Sequence, residues 1–384
     1  MSSQIFNSLL EQLNLLPLIV GFVLTFLATW ILCKMSHVFQ LGHDSAKGVQ
    51  KFHVRPTSRL GGVAIAIGLV SSGLLTFDST QNALYSEFRN YSFWFLLAAL
   101  PVWLAGLTED LTHKVGPTIR LVMATLSAAW LFSSLGASVN KTDVYPIDWL
   151  LSIPGGQLCV TLLVVAGFTH SVNIIDGFHG LACGLMAITL SALSFMAWRV
   201  GDVLMAQMCL TSLCVVLGFF VFNWPKGSIF LGDAGAYLIG FWVVELGILI
   251  AVRNPGISPM APVVAGLLPL IETLFSMYRR KFVRDHPVNH PDALHLHTLI
   301  YRRLLCSPRA QNNLSEKNKL NSRVALFFWL PALLFSVVAC LFMNSTSIQL
   351  VLMLAYLVMY IWLYKRLIQF RSPAFLKLKN YKTD

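Results

Sequence analysis

Three short segments of this chain carry acidic residues where a long apolar run begins or ends. They are Glu109-Asp110, Asn173-Ile-Ile-Asp176-Gly177 and Phe230-Leu-Gly-Asp233-Ala-Gly235. Because an ionisable group at the rim of a membrane span is costly to desolvate, residues of this kind usually mark a functional site. If the three segments face the same side of a bilayer, their carboxylates form one acidic pocket, which suits a hard cation such as Mg²⁺.

Taken singly, each segment also has a simpler interpretation. Asn173, Asp176 or Asp233 would cap the helix that follows, and Glu109-Asp110 would be a solvated charged turn. Adjacent carboxylates repel each other, which makes one residue of the Glu109-Asp110 pair a candidate proton acceptor. Two aspartates on one face favour a metal site, with Asp233 and Asp176 as its ligands.

Basic residues and histidines accompany the acidic segments. Clustered Arg and Lys beside imidazoles predict a clamp for a diphosphate. A loop attracted to anionic lipid would explain the arginines but not the histidines. A metal role for His295 and His297 needs further ligands nearby, because two histidines at i and i+2 do not complete a site. The candidate substrate-binding residues are Lys51, His53, Lys114, Arg120, Asn173, Arg279, Arg280, His295, His297 and Arg302.

The composition predicts an all-α polytopic membrane protein with a single domain, residues 1–384. Hydrophobic residues make up 56% of the chain and charged residues only 12%, against about a quarter charged in soluble domains. The alternating pattern of a membrane β-barrel is absent. About eleven apolar runs are long enough to cross ~30 Å of hydrocarbon as helices. They lie near residues 15–33, 60–77, 92–107, 119–135, 157–172, 179–198, 203–222, 236–252, 259–277, 324–342 and 347–365.

The positions of Lys and Arg predict the orientation of these spans. With eleven spans, 24 of the 28 Lys and Arg residues fall on one side, many of them in the loop 278–323 and the tail 366–384. By the positive-inside rule the amino terminus is outside and the carboxy terminus is cytoplasmic. The acidic segments and the histidines then all face the cytoplasm.

The net charge of +11 is therefore chiefly a topology signal and does not indicate nucleic acid as a partner. The remaining positive charge is available to anionic ligands and to membrane lipids. The first fourteen residues lack the basic start of a cleavable signal peptide, so we expect the first span to be retained.

Five motifs stand in a fixed order on alternate connections between the predicted spans. They are Lys51-x-His53-x-x-Pro56 with Arg59-Leu-Gly61-Gly62, the acidic pair with Lys114 and Arg120, Asn173-x-x-Asp176-Gly177-x-x-Gly180-Leu181, Phe230-x-Gly232-Asp233, and Pro291-Asp292 leading to His295-x-His297. Any one of them has little specificity, whereas the five in register are specific. Through these motifs residues 44–303 resemble the polyprenyl-phosphate N-acetylhexosamine-1-phosphate transferases, glycosyltransferase family 4.

The resemblance implies a reaction and a cellular location. A polyprenyl phosphate, which we expect to be undecaprenyl phosphate, attacks the sugar-proximal phosphorus of a UDP-N-acetylhexosamine such as UDP-GlcNAc, and UMP leaves. This is the first membrane step of a cell-surface polysaccharide such as O-antigen, at the cytoplasmic face of the bacterial inner membrane. The implied cofactor is Mg²⁺, with Mn²⁺ as a substitute.

The resemblance also implies unequal roles for the acidic residues. Asp233 ligates the metal, Asp176 helps to hold metal and nucleotide, and Asp110 with Glu109 engages or deprotonates the acceptor phosphate. The histidines and nearby arginines bind the donor diphosphate. Positioning and charge neutralisation supply most of the catalysis in phosphoryl transfer.

Two positions depart from the family's pattern. The family commonly has Asp where this chain has Glu109, and a second Asp where it has His179, which removes a carboxylate beside the expected metal. The segment His295-Leu-His297-Thr298 is closer to the O-antigen and teichoic-acid type than to the triple-histidine peptidoglycan translocase. An inactive binding or regulatory relative is thus an alternative, as is a secondary transporter, although no repeated halves are visible. The oligomeric state stays open, with a homodimer as one alternative.

Overall fold

A computed structural model describes residues 13–39, 43–44, 57–74, 83–283, 294–305 and 313–371. Regular structure in these ranges is helical apart from two short antiparallel strands, β1 (His43–Asp44) and β2 (Thr57–Ser58). The prediction of an all-α membrane protein is confirmed for this part of the chain. Two predicted site residues, Lys51 and His53, lie outside the described ranges.

The α-helices follow one another with short connections. They are α1 (Leu15–Phe39), α2 (Gly61–Leu74), α3 (Ala83–Thr112), α4 (Pro117–Leu135), α5 (Tyr145–Ser152), α6 (Gly156–Ile175), α7 (Leu181–Arg199), α8 (Val203–Asn223), α9 (Gly232–Arg253), α10 (Met260–Ala265), α11 (Leu267–Tyr278), α12 (Leu296–Ile300), α13 (Leu314–Leu341) and α14 (Thr346–Ile368). One turn of π-helix follows α11 (Arg279–Val283), and another follows α12 (Tyr301–Leu305).

Nine of the described helices are long and apolar enough to cross a membrane, which differs from the predicted count of about eleven. The nine are α1, α3, α4, α6, α7, α8, α9, α13 and α14. Within the predicted run 60–77, the described residues form the 14-residue helix α2, Gly61–Leu74. The predicted run 259–277 divides at Gly266 into α10 and α11.

The break between α10 and α11 has a local cause. Proline has no N–H, so Pro269 cannot donate the helical bond to the carbonyl of Ala265. That carbonyl instead accepts a hydrogen bond from the Thr189 hydroxyl of α7, at 3.1 Å. Apolar residues alone predicted a continuous span here, whereas the proline allows a turn that a neighbouring helix satisfies.

Helix α9 is the centre of the bundle. In the most apolar stretch of α9, 78% of the residues are buried inside the protein, whereas in that of α14 only 17% are. Small residues let two helices reach its first turn: a Cβ atom on Gly62 of α2 would lie 2.3 Å from the Gly235 nitrogen, and one on Gly106 of α3 would lie 2.6 Å from the Ala234 Cα. The backbones of α2 and α3 therefore pack directly against the start of α9.

A cluster of polar contacts closes the end of the bundle where α9 finishes. Arg253 donates from Nε to Asp202 Oδ2 at 2.9 Å and from Nη1 to the Tyr91 hydroxyl at 2.9 Å. Asp202 also accepts a bond from the backbone N–H of Met205, at the start of α8. The acidic segments predicted to form a site lie at the other end, where α9 begins.

Candidate active site

The segment before α2 pairs with the segment before α9. The Phe230 N–H donates to the Ser58 carbonyl at 2.9 Å, and the Gly61 and Gly62 N–H groups donate to the carbonyls of Phe230 and Leu231, at 3.1 and 3.0 Å. This ladder sets the backbone between Ser58 and Gly61 beside the first residues of α9. The side chain of Arg59 consequently reaches both acidic segments that flank it.

Asp110 lies in the last turn of α3 and is fully buried. Its two carboxylate oxygens accept hydrogen bonds from the backbone N–H groups of Asp233 and Ala234, at 2.9 and 2.8 Å. The Arg59 Nε lies 3.2 Å from Asp110 Oδ1. A carboxylate in this position satisfies donors that the first turn of a helix leaves open and interacts favourably with the helix dipole. Asp110 thus caps α9 from a different helix.

Glu109, the neighbour of Asp110, closes the turn that follows α3. Its Oε2 accepts a hydrogen bond from the Val115 N–H at 2.7 Å. Lys114 in the same turn is exposed. The role of one residue of the Glu109-Asp110 pair as proton acceptor stays a prediction, and the observed contacts give each carboxylate its own backbone partner.

Asp233, in the first turn of α9, is held by two arginines. Arg59 donates from Nη2 to Asp233 Oδ1 at 2.6 Å, and Arg120 donates from Nη1 to Oδ2. The Arg120 guanidinium also lies over the ring of Tyr237, at 5.6 Å, and the Tyr237 hydroxyl is hydrogen-bonded to His170 Nδ1 at 2.9 Å. The predicted residues Asp233 and Arg120 are therefore in direct contact, and Arg59 joins Asp233 to Asp110.

Asp176 follows the last residue of α6 and is half-buried. Among the described residues its carboxylate has no hydrogen-bond partner. Burial raises the pKa of Asp176 to about 7, with the positive charge of Arg59 opposing the rise and the negative charge of Asp110 adding to it. The charges of Arg59 and Asp110 therefore both act on the Asp176 carboxyl group. Asn173, one turn earlier, is half-buried.

His179, which replaces an acidic residue of the family pattern, is 2% exposed. Its backbone N–H donates to Asn321 Oδ1 at 2.9 Å, and its ring centroid lies 5.7 Å from that of Phe230. A Cβ on Gly227 would lie 2.3 Å from the imidazole. The ring at position 179 thus packs in the interior of the turn between α6 and α7.

The predicted histidines are anchored by an acidic residue that the sequence analysis did not select. Glu272 of α11 is 1% exposed, and its Oε1 lies 2.9 Å from His295 Nδ1. The rings of His295 and His297 are nearly parallel, 4° apart, with centroids at 5.1 Å. Burial lowers the pKa of His297 to about 3, with Glu272 opposing this fall and His295 adding to it.

The histidine segment lies against the turn that carries Asp176. The His297 ring contacts Phe178 edge to face, at 5.5 Å between centroids. A Cβ on Gly177 would lie 3.4 Å from His297 Nε2. The fourth predicted group of residues therefore joins the same end of the bundle as the three acidic segments.

The basic residues near the histidines differ in exposure. Arg279 is 5% exposed and donates from Nη1 to the carbonyl of Leu294 at 2.6 Å and to the Tyr364 hydroxyl. Arg280 is half-buried, and Arg302 is exposed. The Arg279 guanidinium is thus committed to the protein itself, while its predicted role in substrate binding stays a prediction.

Two sets of side chains are candidates for holding a metal. Glu272, His295 and His297 offer ligand atoms within 4.8 Å of one another. The Glu272 carboxylate there is already bonded to His295, and such a pair orients an imidazole. The ligand atoms of Asp110, Asp176 and Asp233 do not all come that close within the described residues. Mg²⁺ takes only one or two protein carboxylates and completes its shell with water and phosphate oxygens, and the assignment of Asp233 and Asp176 as its ligands stays a prediction.

The chain resembles known proteins along most of its length. Residues 92–251 match the model of glycosyl transferase family 4. A probable undecaprenyl-phosphate N-acetylglucosaminyl 1-phosphate transferase of Bacillus subtilis is 26% identical over 293 residues, 74% of this chain and 77% of that protein. A decaprenyl-phosphate N-acetylglucosaminephosphotransferase of Mycolicibacterium smegmatis is 28% identical over 318 residues, 75% of each chain.

A relative of a second kind also matches. A phospho-N-acetylmuramoyl-pentapeptide-transferase of a Geobacillus species is 24% identical over 304 residues, 73% of this chain and 90% of that protein. The region that matches the family model includes the three acidic segments described above, and the names of all these relatives describe transfer of a phosphosugar or its derivative. The chain is therefore similar to the polyprenyl-phosphate N-acetylhexosamine-1-phosphate transferases of glycosyl transferase family 4, the family whose resemblance the five motifs carry.

Proposed function

We propose that this protein transfers N-acetylglucosamine 1-phosphate from UDP-GlcNAc to undecaprenyl phosphate at the cytoplasmic face of the inner membrane. The observation that carries the proposal is the junction of Arg59 with Asp110 and Asp233. The junction joins two acidic residues to Arg59 and Arg120 at the end of the apolar bundle where the histidine segment also lies, so a lipid phosphate and a nucleotide sugar can meet there. The product would be undecaprenyl-diphosphate-GlcNAc, the first lipid intermediate of a surface polysaccharide such as O-antigen.

The choice of UDP-GlcNAc follows from two independent arguments. The Bacillus and Mycolicibacterium relatives carry N-acetylglucosamine in their names. The histidine segment His295-Leu-His297-Thr298 also lacks three consecutive histidines. UDP-N-acetylmuramoyl-pentapeptide, the donor type that the Geobacillus relative suggests, is therefore the second donor to test.

The charges of the site suit two anionic substrates. Arg59 and Arg120 are planar cations whose N–H groups match phosphate oxygens. Asp233 and Asp176 would hold Mg²⁺, which when bound neutralises charge on the transferring phosphoryl group. The histidines would contact the donor diphosphate beside the turn that carries Asp176.

We propose direct transfer between the two substrates. An oxygen of the undecaprenyl phosphate forms a bond to the sugar-proximal phosphorus of UDP-GlcNAc. The bond from that phosphorus to the bridging oxygen breaks, and UMP leaves with this oxygen and its electron pair. A phosphate monoester has a second pKa of about 6, so most of the acceptor is dianionic at neutral pH and needs little help from a base. This argument favours holding the reactants in line over proton removal by Asp110.

The positions of the acidic residues also bear on the two alternatives. A secondary transporter would place its carboxylates near the middle of broken helices, whereas Asp110, Asp176 and Asp233 lie at helix ends. An inactive relative is the remaining alternative, since His179 fills an acidic position of the family with a buried ring.

The test is release of UMP by the purified full-length protein in nanodiscs. Undecaprenyl phosphate and Mg²⁺ are supplied with UDP-GlcNAc, UDP-GalNAc or UDP-N-acetylmuramoyl-pentapeptide in separate reactions. We expect turnover with UDP-GlcNAc and a much slower turnover at the same Mg²⁺ concentration in Asp233→Asn. No turnover with any donor, together with equal donor binding by Asp233→Asn and wild type, would contradict the proposal.

A further inference from the structure

Glu272 is a buried acidic residue in the apolar helix α11, where an ionised side chain is costly unless it is bonded. Its Oε1 accepts two hydrogen bonds, from His295 Nδ1 at 2.9 Å and from the backbone N–H of Leu296 at 3.0 Å. One carboxylate oxygen therefore fixes both a side chain and the backbone at the start of α12.

The bond to Glu272 also determines which nitrogen of His295 carries a proton. An ionised carboxylate only accepts hydrogen bonds, so the proton between the two groups is on Nδ1. The opposite nitrogen, Nε2, is then left for a ligand. In metal and catalytic sites, an acidic partner of this kind orients the ring and makes the free nitrogen a better ligand or donor.

Arg279 supplies a second anchor on the same face as Glu272. The two residues are seven positions apart, about two helical turns, so their side chains leave the same side. The Arg279 Nη1 donates to the carbonyl of Leu294 at 2.6 Å. Arg279 thus holds Leu294 by donating a hydrogen bond, and Glu272 holds the next two residues by accepting hydrogen bonds.

This anchoring has a consequence at the neighbouring turn. His297, two residues after His295, contacts Phe178, and its Nε2 faces Gly177, next to Asp176. A segment held at Leu294, His295 and Leu296 cannot shift along the helix axis without losing these contacts. The Glu272 carboxylate therefore controls the distance between the histidines and the Asp176 turn.

We propose that Glu272 is a positioning residue for the nucleotide-sugar donor, acting through His295 by fixing its tautomer and its place beside Asp176. This inference rests on the proposed function, because that function gives His295 its contact with the donor diphosphate. Glu272 itself need not touch the donor.

The test is a double-mutant cycle between positions 272 and 295, using Glu272→Gln, His295→Asn and both together. Gln keeps the size and an oxygen acceptor but removes the charge, so we expect kcat/KM for UDP-GlcNAc to fall about tenfold in Glu272→Gln, the effect of a charge-assisted hydrogen bond. The KM for undecaprenyl phosphate should stay unchanged. In the His295→Asn background the same change should cost less than about twofold, because coupled residues are not additive.

An equal loss in both backgrounds would overturn the inference, since Glu272 would then act independently of His295. Lower thermal stability with an unchanged kcat/KM for the donor would overturn it as well. Glu245→Gln is the matched control, because Glu245 of α9 is also fully buried, and it should leave kcat/KM for the donor unchanged. Glu272→Asp keeps the charge on a shorter side chain and replaces Glu272→Gln in the cycle if the latter does not fold.

The Kd for UDP-GlcNAc is measured for the same four proteins, so that the coupling between positions 272 and 295 is also obtained from binding. Absence of turnover in the wild type would contradict the proposed function, yet binding would still report on the coupling of the two residues. Turnover in the wild type without coupling in either measurement would contradict only the role of Glu272.

Discussion

The carboxylate of Asp110 accepts a hydrogen bond from the backbone N–H of Asp233, at 2.9 Å. The two acidic residues are thus joined through the backbone of α9, while the Asp233 carboxylate pairs with Arg59 and Arg120. Asp110 and Asp233 therefore have different structural roles. Asp110 fixes the helix that carries Asp233, and Asp233 is the carboxylate presented to cations.

We expect Asp110→Asn to weaken both stability and activity. An amide can accept only one of the two backbone bonds and cannot pair with Arg59, so about 1–3 kcal/mol of the free energy of unfolding should be lost. Turnover should fall because the first turn of α9, with Asp233, is no longer held. Thermal unfolding and UMP release, measured on the same preparation, check both effects.

Asp202→Asn is the matched control for this change. Asp202 also accepts a backbone bond at a helix start and pairs with an arginine, but at the opposite end of the bundle. It should lose about 1 kcal/mol of stability, because its bonds to Arg253 are no longer charge-assisted, and it should keep wild-type turnover. Full activity in Asp110→Asn would show that the capping of α9 is unimportant for transfer.

Gly232→Ala should damage the site through a steric clash. Gly232 has φ +72°, and a Cβ there would lie 2.0 Å from the Arg59 carbonyl oxygen and 2.6 Å from Asp110 Oδ2. Gly201 has a similar φ, +82°, with no atom within 4 Å of its Cβ position. The loss of stability in Gly201→Ala therefore measures only the cost of placing an alanine in the left-handed backbone conformation, about 1–2 kcal/mol.

We expect Gly232→Ala to be less stable than Gly201→Ala and to lose most of its turnover. The comparison uses thermal unfolding followed by UMP release from the folded fraction. Similar stability and activity in the two variants would mean that Arg59 and Asp110 move aside freely, against the tight junction described here.

The cost of charge at a membrane rim was enough to predict the acidic segments, because Asp110, Asp176 and Asp233 each interrupt an apolar pattern at its end. Glu272 is a lone acidic residue inside the run Leu267–Tyr278 and not at its end, so this reasoning does not select it. Glu272 is found only when His295 is placed beside it, 23 residues further along the chain.

Other parts of the site depend on contacts that no local pattern contains. Arg59 belongs to a sequence motif, but its pairing with two distant carboxylates follows from the backbone ladder between Ser58 and Leu231. The bond between His170 and Tyr237 joins α6 to α9 and has no signal in either helix. The length of an apolar run likewise predicts the long helices but not the break at Gly266. There Pro269 cannot donate to the carbonyl of Ala265, and Thr189 donates to it instead.

Arg59→Lys should lower kcat/KM by at least about tenfold, because one ammonium group cannot replace a guanidinium that contacts two carboxylates in a fixed geometry. Arg253→Lys is the matched control, since Arg253 makes a similar pair with Asp202 at the far end of the bundle. We expect that control to keep wild-type kcat/KM. Equal activity of Arg59→Lys and wild type would exclude Arg59 as the organising residue.

The metal prediction concerns Asp233 and separates its role from that of the arginines. Chelation with EDTA should abolish UMP release, and Mg²⁺ or Mn²⁺ should restore it, because oxygen ligands bind both ions. In Asp233→Asn the Mg²⁺ concentration needed for half-maximal rate should rise by about tenfold or more, since the loss of a liganding charge weakens a hard-cation site. Glu109→Gln, which alters a neighbouring carboxylate bonded to the Val115 N–H, should leave that concentration near the wild-type value. An unchanged Mg²⁺ requirement in Asp233→Asn, together with a raised one in Glu109→Gln, would move the metal from the start of α9 to the end of α3.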